Sequence, residues 1–161
     1  SEIAKRLSDI GLPMSYHEHM GTIIQSEQDI YRLLDNTNDR TSLLFDTGHI
    51  FFAKGDYESI LKKYISRVNH VHCKDIRKEI LNKSLSNDLS FRDSFLEGVF
   101  TVPGDGYINY KPLFETLYDN KYSKWLIVEA EQDPKKANPL KYAKIGYKYL
   151  NRILTEVGYR I

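Results

Sequence analysis

All five histidines of this chain lie at the ends of short apolar runs. Leu12–Tyr16 leads into His17 and His19. Leu43, Leu44 and Phe45 lead into Asp46, after which Thr47 and Gly48 turn the chain tightly and deliver His49. The run VNHVHCKD, Val68–Asp75, carries His70 and His72, and the run WLIVEAEQD, Trp125–Asp133, brings Glu129 and Glu131 to the same kind of place. A continuous apolar run bounded by a glycine turn has the pattern of a strand buried in a parallel sheet. The carboxyl end of such a strand is where α/β folds gather their reactive groups. For the central stretch LLFDTGH two readings stand side by side. Asp46 could cap the following turn while His49 is a hydrogen-bonded core histidine. Alternatively, both could ligate a divalent ion, since Asp and imidazole three residues apart reach one small volume and suit Mn or Zn better than Ca. Recurrence of the pattern on four runs favours the ligand reading.

Between these runs the spacing turns helical. Glu2–Ile10 places Ile3, Leu7 and Ile10 on one stripe and stops at Gly11, like the tail of a unit whose preceding strand is absent. Ser26 can cap a helix through about Asn36, with Ile30, Leu33 and Leu34 inward. A helix from Gly55 or Asp56 carries Ile60, Leu61, Tyr64 and Ile65. Tyr110–Asn120 and Pro139–Val157 read as two more. Strands are expected near 13–19, 42–47, 68–74 and 125–131. The alternation breaks over residues 76–107, too long for a plain connection. Aromatic and apolar residues from Phe91 to Val102, and the rigid turn of Pro103, Gly104 and Gly106, suggest a lid over a site.

With 161 residues, a formal net charge of +1 and 41% hydrophobic residues, a single domain over residues 1–161 is the natural expectation. Near-neutrality gives no electrostatic case for nucleic acid or an anionic membrane as the partner, and no apolar run approaches membrane-spanning length. The lone Cys73 excludes an internal disulfide framework and fits a reducing, cytoplasmic location. It alternates out of phase with His72 and is expected to pack against helices.

Four βα units in series imply a parallel sheet with helical crossovers. No glycine-rich phosphate-binding pattern follows any strand, whereas polar residues end all four, as in a (β/α)8 TIM barrel. A whole barrel takes roughly 250 residues. The fold class expected is therefore α/β, the C-terminal half of a TIM barrel, with a long loop after the third strand. Such a half would expose apolar strand faces such as those of Leu44 and Ile127 and two sheet edges, so self-association or a missing N-terminal half is expected to cover them.

In order, YHEHMGT, LLFDTGH, HVHCKDIR, GVFTVPGDG and VEAEQDP resemble the inosose dehydratases of inositol catabolism, within the wider xylose-isomerase-like barrels. The resemblance covers nearly the whole chain. It implies metal-dependent dehydration of 2-keto-myo-inositol (scyllo-inosose), a cyclic polyol ketone, to a trihydroxycyclohexane-dione. It also implies a divalent cofactor, Mn or Co. The implied ligands are Asp46, His72 and Glu129, with His17 where many relatives carry a glutamate. His49 matches a substrate-contacting position of the sugar epimerases. A ketose epimerase or isomerase on the same scaffold, or a half-barrel without turnover, are the alternative readings.

Elimination of water needs a base at the carbon beside the ketone and an acid at the departing hydroxyl. His49, Glu131, Lys74 and His19 are the candidates, with roles among them open. His49, Glu131 and Lys74 are taken as catalytic. His19, Asp75 and Arg77 are taken as substrate contacts, and His70, farther from its strand end than His72, as structural.

Overall fold

The computed structural model describes residues 1–161, which group into two compact units. The first comprises Ser1–His72 and Lys124–Leu126; the second comprises Cys73–Ser123 and Ile127–Ile161.

In the first unit β2 (Thr41–Asp46) shows why the apolar runs become strands. Its buried residues alternate, with Thr41, Leu43 and Phe45 on the covered face and Ser42 and Leu44 only half-buried on the other. It pairs in parallel with β1 (Met14–His17) on one side and β3 (Val68–Cys73) on the other. The sheet order is β1-β2-β3-β6, where β6 is Trp125–Val128. A register shift between Leu43 and Leu44 brings Asp46 level with His72 and Leu44 level with His70. Without that shift the strand-end carboxylate and imidazole would not stand side by side.

The helices of this unit start where side-chain caps allow. α1 (Glu2–Asp9) is capped by Ser1, and α2 (Glu27–Asp35) by a reciprocal Ser26–Asp29 box. α4 (Tyr57–Tyr64) is capped by Asp56. α2 and α4 place Ile30, Leu34, Ile60, Leu61 and Tyr64 in the core with Leu43, Phe45 and Val71. Arg67 ties the base together: its guanidinium donates to the carbonyls of Leu34, Thr37 and Thr41 and to Oγ1 of Thr37. It thereby satisfies carbonyls near the end of α2 that the helix leaves unpaired. One element escaped the sequence reading. α3 (Thr47–Phe52) follows β2 at once, with Asp46 as its cap.

In the second unit, residues 76–107 are ordered into helices and a short ribbon. They form α5 (Lys78–Ser86) and α6 (Phe91–Glu97), held against a two-stranded antiparallel ribbon of β4 (Asp75–Ile76) and β5 (Phe100–Thr101). Arg77 secures the ribbon, donating to the carbonyls of Gly98 and Phe100, Oγ1 of Thr101 and Oδ2 of Asp105. α7 (Tyr110–Asp119) and α8 (Pro139–Val157) supply Leu113, Phe114, Leu117, Leu150 and Ile153 to this unit's core. Cys73 is a buried thiol in no disulfide, as its strand phase suggested. Two glycines permit close approach. A Cβ on Gly146 of α8 would lie 2.5 Å from Cγ1 of Val128, and one on Gly104, at φ +87°, would lie 2.7 Å from the ring of Tyr149. No helix is long and apolar enough to cross a membrane.

Candidate functional site

The first unit gathers its polar groups at the carboxyl ends of β1 and β2. Asp46 is fully buried, and its two oxygens do different work. Oδ1 accepts the backbone N–H groups of Gly48 at 2.9 Å and His49 at 3.0 Å, capping α3. Oδ2 lies 3.4 Å from Nε2 of His17 and 3.4 Å from Nδ1 of His72. The two sequence readings of Asp46 are thus compatible: one oxygen caps while the other faces two imidazoles.

Glu18 was not among the sequence candidates. It is fully buried, and its Oε1 accepts the N–H of Asp46 at 2.8 Å, fixing the end of β2. A carboxylate between two histidines at the end of an apolar run was the available signal.

Around this carboxylate lie four imidazoles. His17 is within ring distance of His19 (5.3 Å), His49 (5.6 Å) and His72 (5.0 Å). His19 and His49 stack at 3.8 Å. His17, Asp46 and His49 offer ligand atoms that all lie within 4.8 Å of one another. His70 reaches the group only through His72, at 6.2 Å, and burial together with the His72 charge pushes its pKa below the ordinary imidazole value.

The second unit holds the other candidates. Lys74 is fully buried, with its ammonium 2.6 Å from Oε2 of Glu131, 3.1 Å from Oε2 of Glu129 and 5.1 Å from the centre of the Phe100 ring. Asp75 and Arg77, expected at the substrate, are engaged in holding loops. The carboxylate of Asp75 is completely covered, and its Oδ1 accepts the N–H groups of Ile76 at 2.7 Å and Ile108 at 2.8 Å. Burial pushes its pKa above the ordinary carboxyl value, against the opposing pull of those backbone donors. The guanidinium of Arg77 is spent on the ribbon. Both residues anchor the chain, because a charged side chain just past a strand end meets backbone groups first when the next segment folds back over it.

The donor set can be tested against a metal by its chemistry. Ligands about 2.0–2.2 Å from one ion stand roughly 3–3.6 Å apart, the separation found from Asp46 Oδ2 to each of two imidazole nitrogens. One carboxylate with imidazoles suits Zn, Mn, Fe or Co rather than the all-oxygen preference of Ca or Mg. The residues of the first unit therefore fit a divalent transition ion.

The pattern of the xylose isomerase-like TIM barrel family matches residues 1–153. The chain belongs to this family. Among its relatives, the rhizopine catabolism protein MocC of Rhizobium meliloti is 43% identical over all of this chain and 50% of its own length. An inosose dehydratase of Bacillus velezensis is 44% identical over 97% of this chain and 53% of its own. The crystal structure of IolI protein with a bound zinc atom superimposes with a TM-score of 0.67 at 16% identity, covering 99% of this chain and 56% of that one. The chain spans about half the length of the curated relatives it matches. Its α/β architecture, with a parallel sheet, is that of about half a barrel of this family.

Proposed function

We propose that the protein works as a divalent-metal-dependent hydro-lyase, removing water from a cyclic polyol ketone of the inosose class. The observation that carries this reading is the divided carboxylate of Asp46: Oδ1 is fixed on the α3 backbone, and Oδ2 is held 3.4 Å from each of two imidazole nitrogens. Relatives named inosose dehydratase, 44% identical and more, supply the substrate class. His17, Asp46 and His72 would hold the ion. Glu129, the further ligand that the family resemblance suggests, belongs to the second unit. Mn and Co are the ions to test first, with Zn beside them because of the zinc-bound IolI structure. When bound, the ion would polarise the substrate ketone.

The chain's own groups would carry the protons. A base takes the proton from the carbon beside the ketone, and an acid returns one to the hydroxyl that leaves from the next carbon. His49 is held by its backbone N–H on Asp46 and by Met20 on its ring, so it is fixed for either task. Lys74 and Glu131 form a 2.6 Å ion pair that can relay a proton within the second unit.

The direct test is to incubate the protein with scyllo-inosose and Mn(II) or Co(II) and follow loss of water by the appearance of the dione. Metal-dependent dehydration supports the reading. Interconversion of ketohexoses without dehydration of inosose would assign an epimerase, and consumption of neither substrate would refute both.

A further inference from the structure

Four residues other than glycine adopt a positive φ: Lys54, Asp88, Lys121 and Glu131. Lys54, Asp88 and Lys121 each lie one residue past the C-cap of a helix, the ordinary place for a left-handed residue. Glu131, at φ +43°, follows no helix; it stands three residues past the end of β6. A left-handed backbone is disfavoured for a residue with a Cβ and persists where its surroundings enforce it. Two contacts flank this one. The carboxylate of Glu131 lies 2.6 Å from Nζ of Lys74. The next residue, Gln132, donates from Nε2 to Oγ1 of Thr101 at 3.3 Å.

The direction of the Gln132 amide follows from its partner. The Thr101 hydroxyl gives its single hydrogen to Oδ2 of Asp105 at 2.6 Å, and it accepts from the Arg77 guanidinium at 2.9 Å. Toward Gln132 it can therefore only accept, so Nε2 faces Thr101 and Oε1 faces away. That Oε1 is buried and accepts from no group, which leaves the carboxamide held by its bond to Thr101. Across the ribbon Asp75 pairs with Thr101. Lys74, Asp75, Thr101, Gln132 and Glu131 thus form a closed circuit, joined by two peptide bonds, the ribbon pairing, one hydrogen bond and one ion pair. Closing so small a circuit requires a sharp bend, and the bend falls at Glu131.

We propose that Gln132 is a positioning residue: anchored on Thr101, it holds Glu131 in the left-handed conformation that keeps its carboxylate on Lys74. That the held pair then moves a proton rests on the hydro-lyase reading above; the hold itself does not. Gln132 acts through the backbone of its neighbour and not through a contact with substrate. Arg77 and Asp105 serve the same end, since their bonds to Thr101, and to each other at 2.8 Å, fix the hydroxyl that Gln132 needs. A single neutral hydrogen bond with an unpaired acceptor at its other end adds little to stability. Its use is geometric, because a small misplacement of a reacting group costs a large factor in rate.

Gln132→Met keeps the length of the side chain and removes both ends of the amide. Crystal structures of the parent and of this variant test the hold. The expected change is that Glu131 leaves the left-handed region and its carboxylate moves beyond hydrogen-bond distance of Lys74, while the melting temperature stays within a few degrees. An unaltered Glu131 backbone and ion pair in Gln132→Met overturns the proposal, whether or not the protein turns over any substrate. Loss of folding in Gln132→Met marks an ordinary structural residue and overturns it as well. Kinetics with scyllo-inosose and Mn(II) test the consequence. Gln132→Met should lower kcat about tenfold or more and leave KM within about twofold. Thr101→Val breaks the same bond from the other side, so the double variant should be no slower than the slower single one. Losses that multiply, or a rise in KM at unchanged kcat, overturn the proton-transfer role. A displaced Glu131 in Gln132→Met, with no dehydration of inosose by the parent, sinks the hydro-lyase reading and leaves the hold standing.

Discussion

The two units surround their strand-end carboxylates in opposite ways. In the first, Asp46 is answered by two imidazoles, groups that hold a proton only conditionally and that present lone pairs when neutral. In the second, Glu129 and Glu131 are answered by the ammonium of Lys74, a fixed charge with no lone pair to offer while protonated. The first arrangement offers nitrogen and oxygen lone pairs of the kind a divalent ion takes. The second sets one lysine ammonium against two partly exposed carboxylates. What the contrast teaches is that the same strand-end position yields a ligand cluster or a salt bridge according to whether the neighbouring strand end brings histidine or lysine.

The largest effect should come from the imidazoles. His17→Ala or His72→Ala should lower divalent-metal affinity by more than about a hundredfold, since loss of mere outer partners of a ligand already costs 10–100-fold. His70→Ala should change it by no more than about threefold, a contrast that calorimetric titration with Mn(II) or Zn(II) would expose. Comparable losses in all three variants would erase the distinction between ligand and structural histidines.

Next in size is the salt-bridged cluster. Lys74→Met removes a wholly buried cation and strands two carboxylates, which should destabilise the fold by about 3 kcal/mol in denaturant unfolding. Adding Glu131→Gln to it should recover part of that loss. A change under about 1 kcal/mol for Lys74→Met would mean the cluster is well solvated and the contrast with Asp46 is overstated.

Gly104→Val should cost about 3 kcal/mol, because a branched residue at φ +87° is strained and its Cβ meets the Tyr149 ring. A true lid would instead lose turnover with little change in melting temperature. Parallel thermal unfolding and activity measurements separate the two.

The smallest effect concerns Asp75. Burial raises its folded pKa above the unfolded value. The folded state therefore takes up the proton more readily, and this group's contribution to stability is present below the unfolded pKa and lost as pH rises through the folded one. Asp75→Asn should flatten the decline in melting temperature over that interval. An unchanged pH profile would show that the backbone donors from Ile76 and Ile108 offset burial.

Much of this was legible in the sequence because strand ends with histidine and carboxylate carry both fold and chemistry in one pattern. The apolar runs placed β1, β2, β3 and β6 within a few residues, and Ser26 and Asp56 marked two helix starts. Other features depended on what comes near in space. α3 was hidden because six residues following a strand give too short a window for helical periodicity. The packing of residues 76–107 was hidden because Arg77 bonds to carbonyls some twenty positions away, which no local spacing reveals. Asp75 and Arg77 were read as substrate contacts from their place just past β3, where their bonds to distant backbone groups cannot be seen. Glu18 was missed because nothing in the sequence shows that it meets the N–H of Asp46.

The central claim is that Asp46 serves the fold through Oδ1 and a metal through Oδ2. The metal bound per chain by folded Asp46→Asn tests it most directly. Asparagine keeps a carbonyl oxygen for the N–H groups of Gly48 and His49, so the variant should melt within a few degrees of the parent, whereas Asp46→Ala, without the cap, should lose about 1–2 kcal/mol. The account predicts about one equivalent of Mn(II) or Zn(II) on the parent after equilibrium dialysis and essentially none on Asp46→Asn. Full occupancy in the folded variant would contradict it.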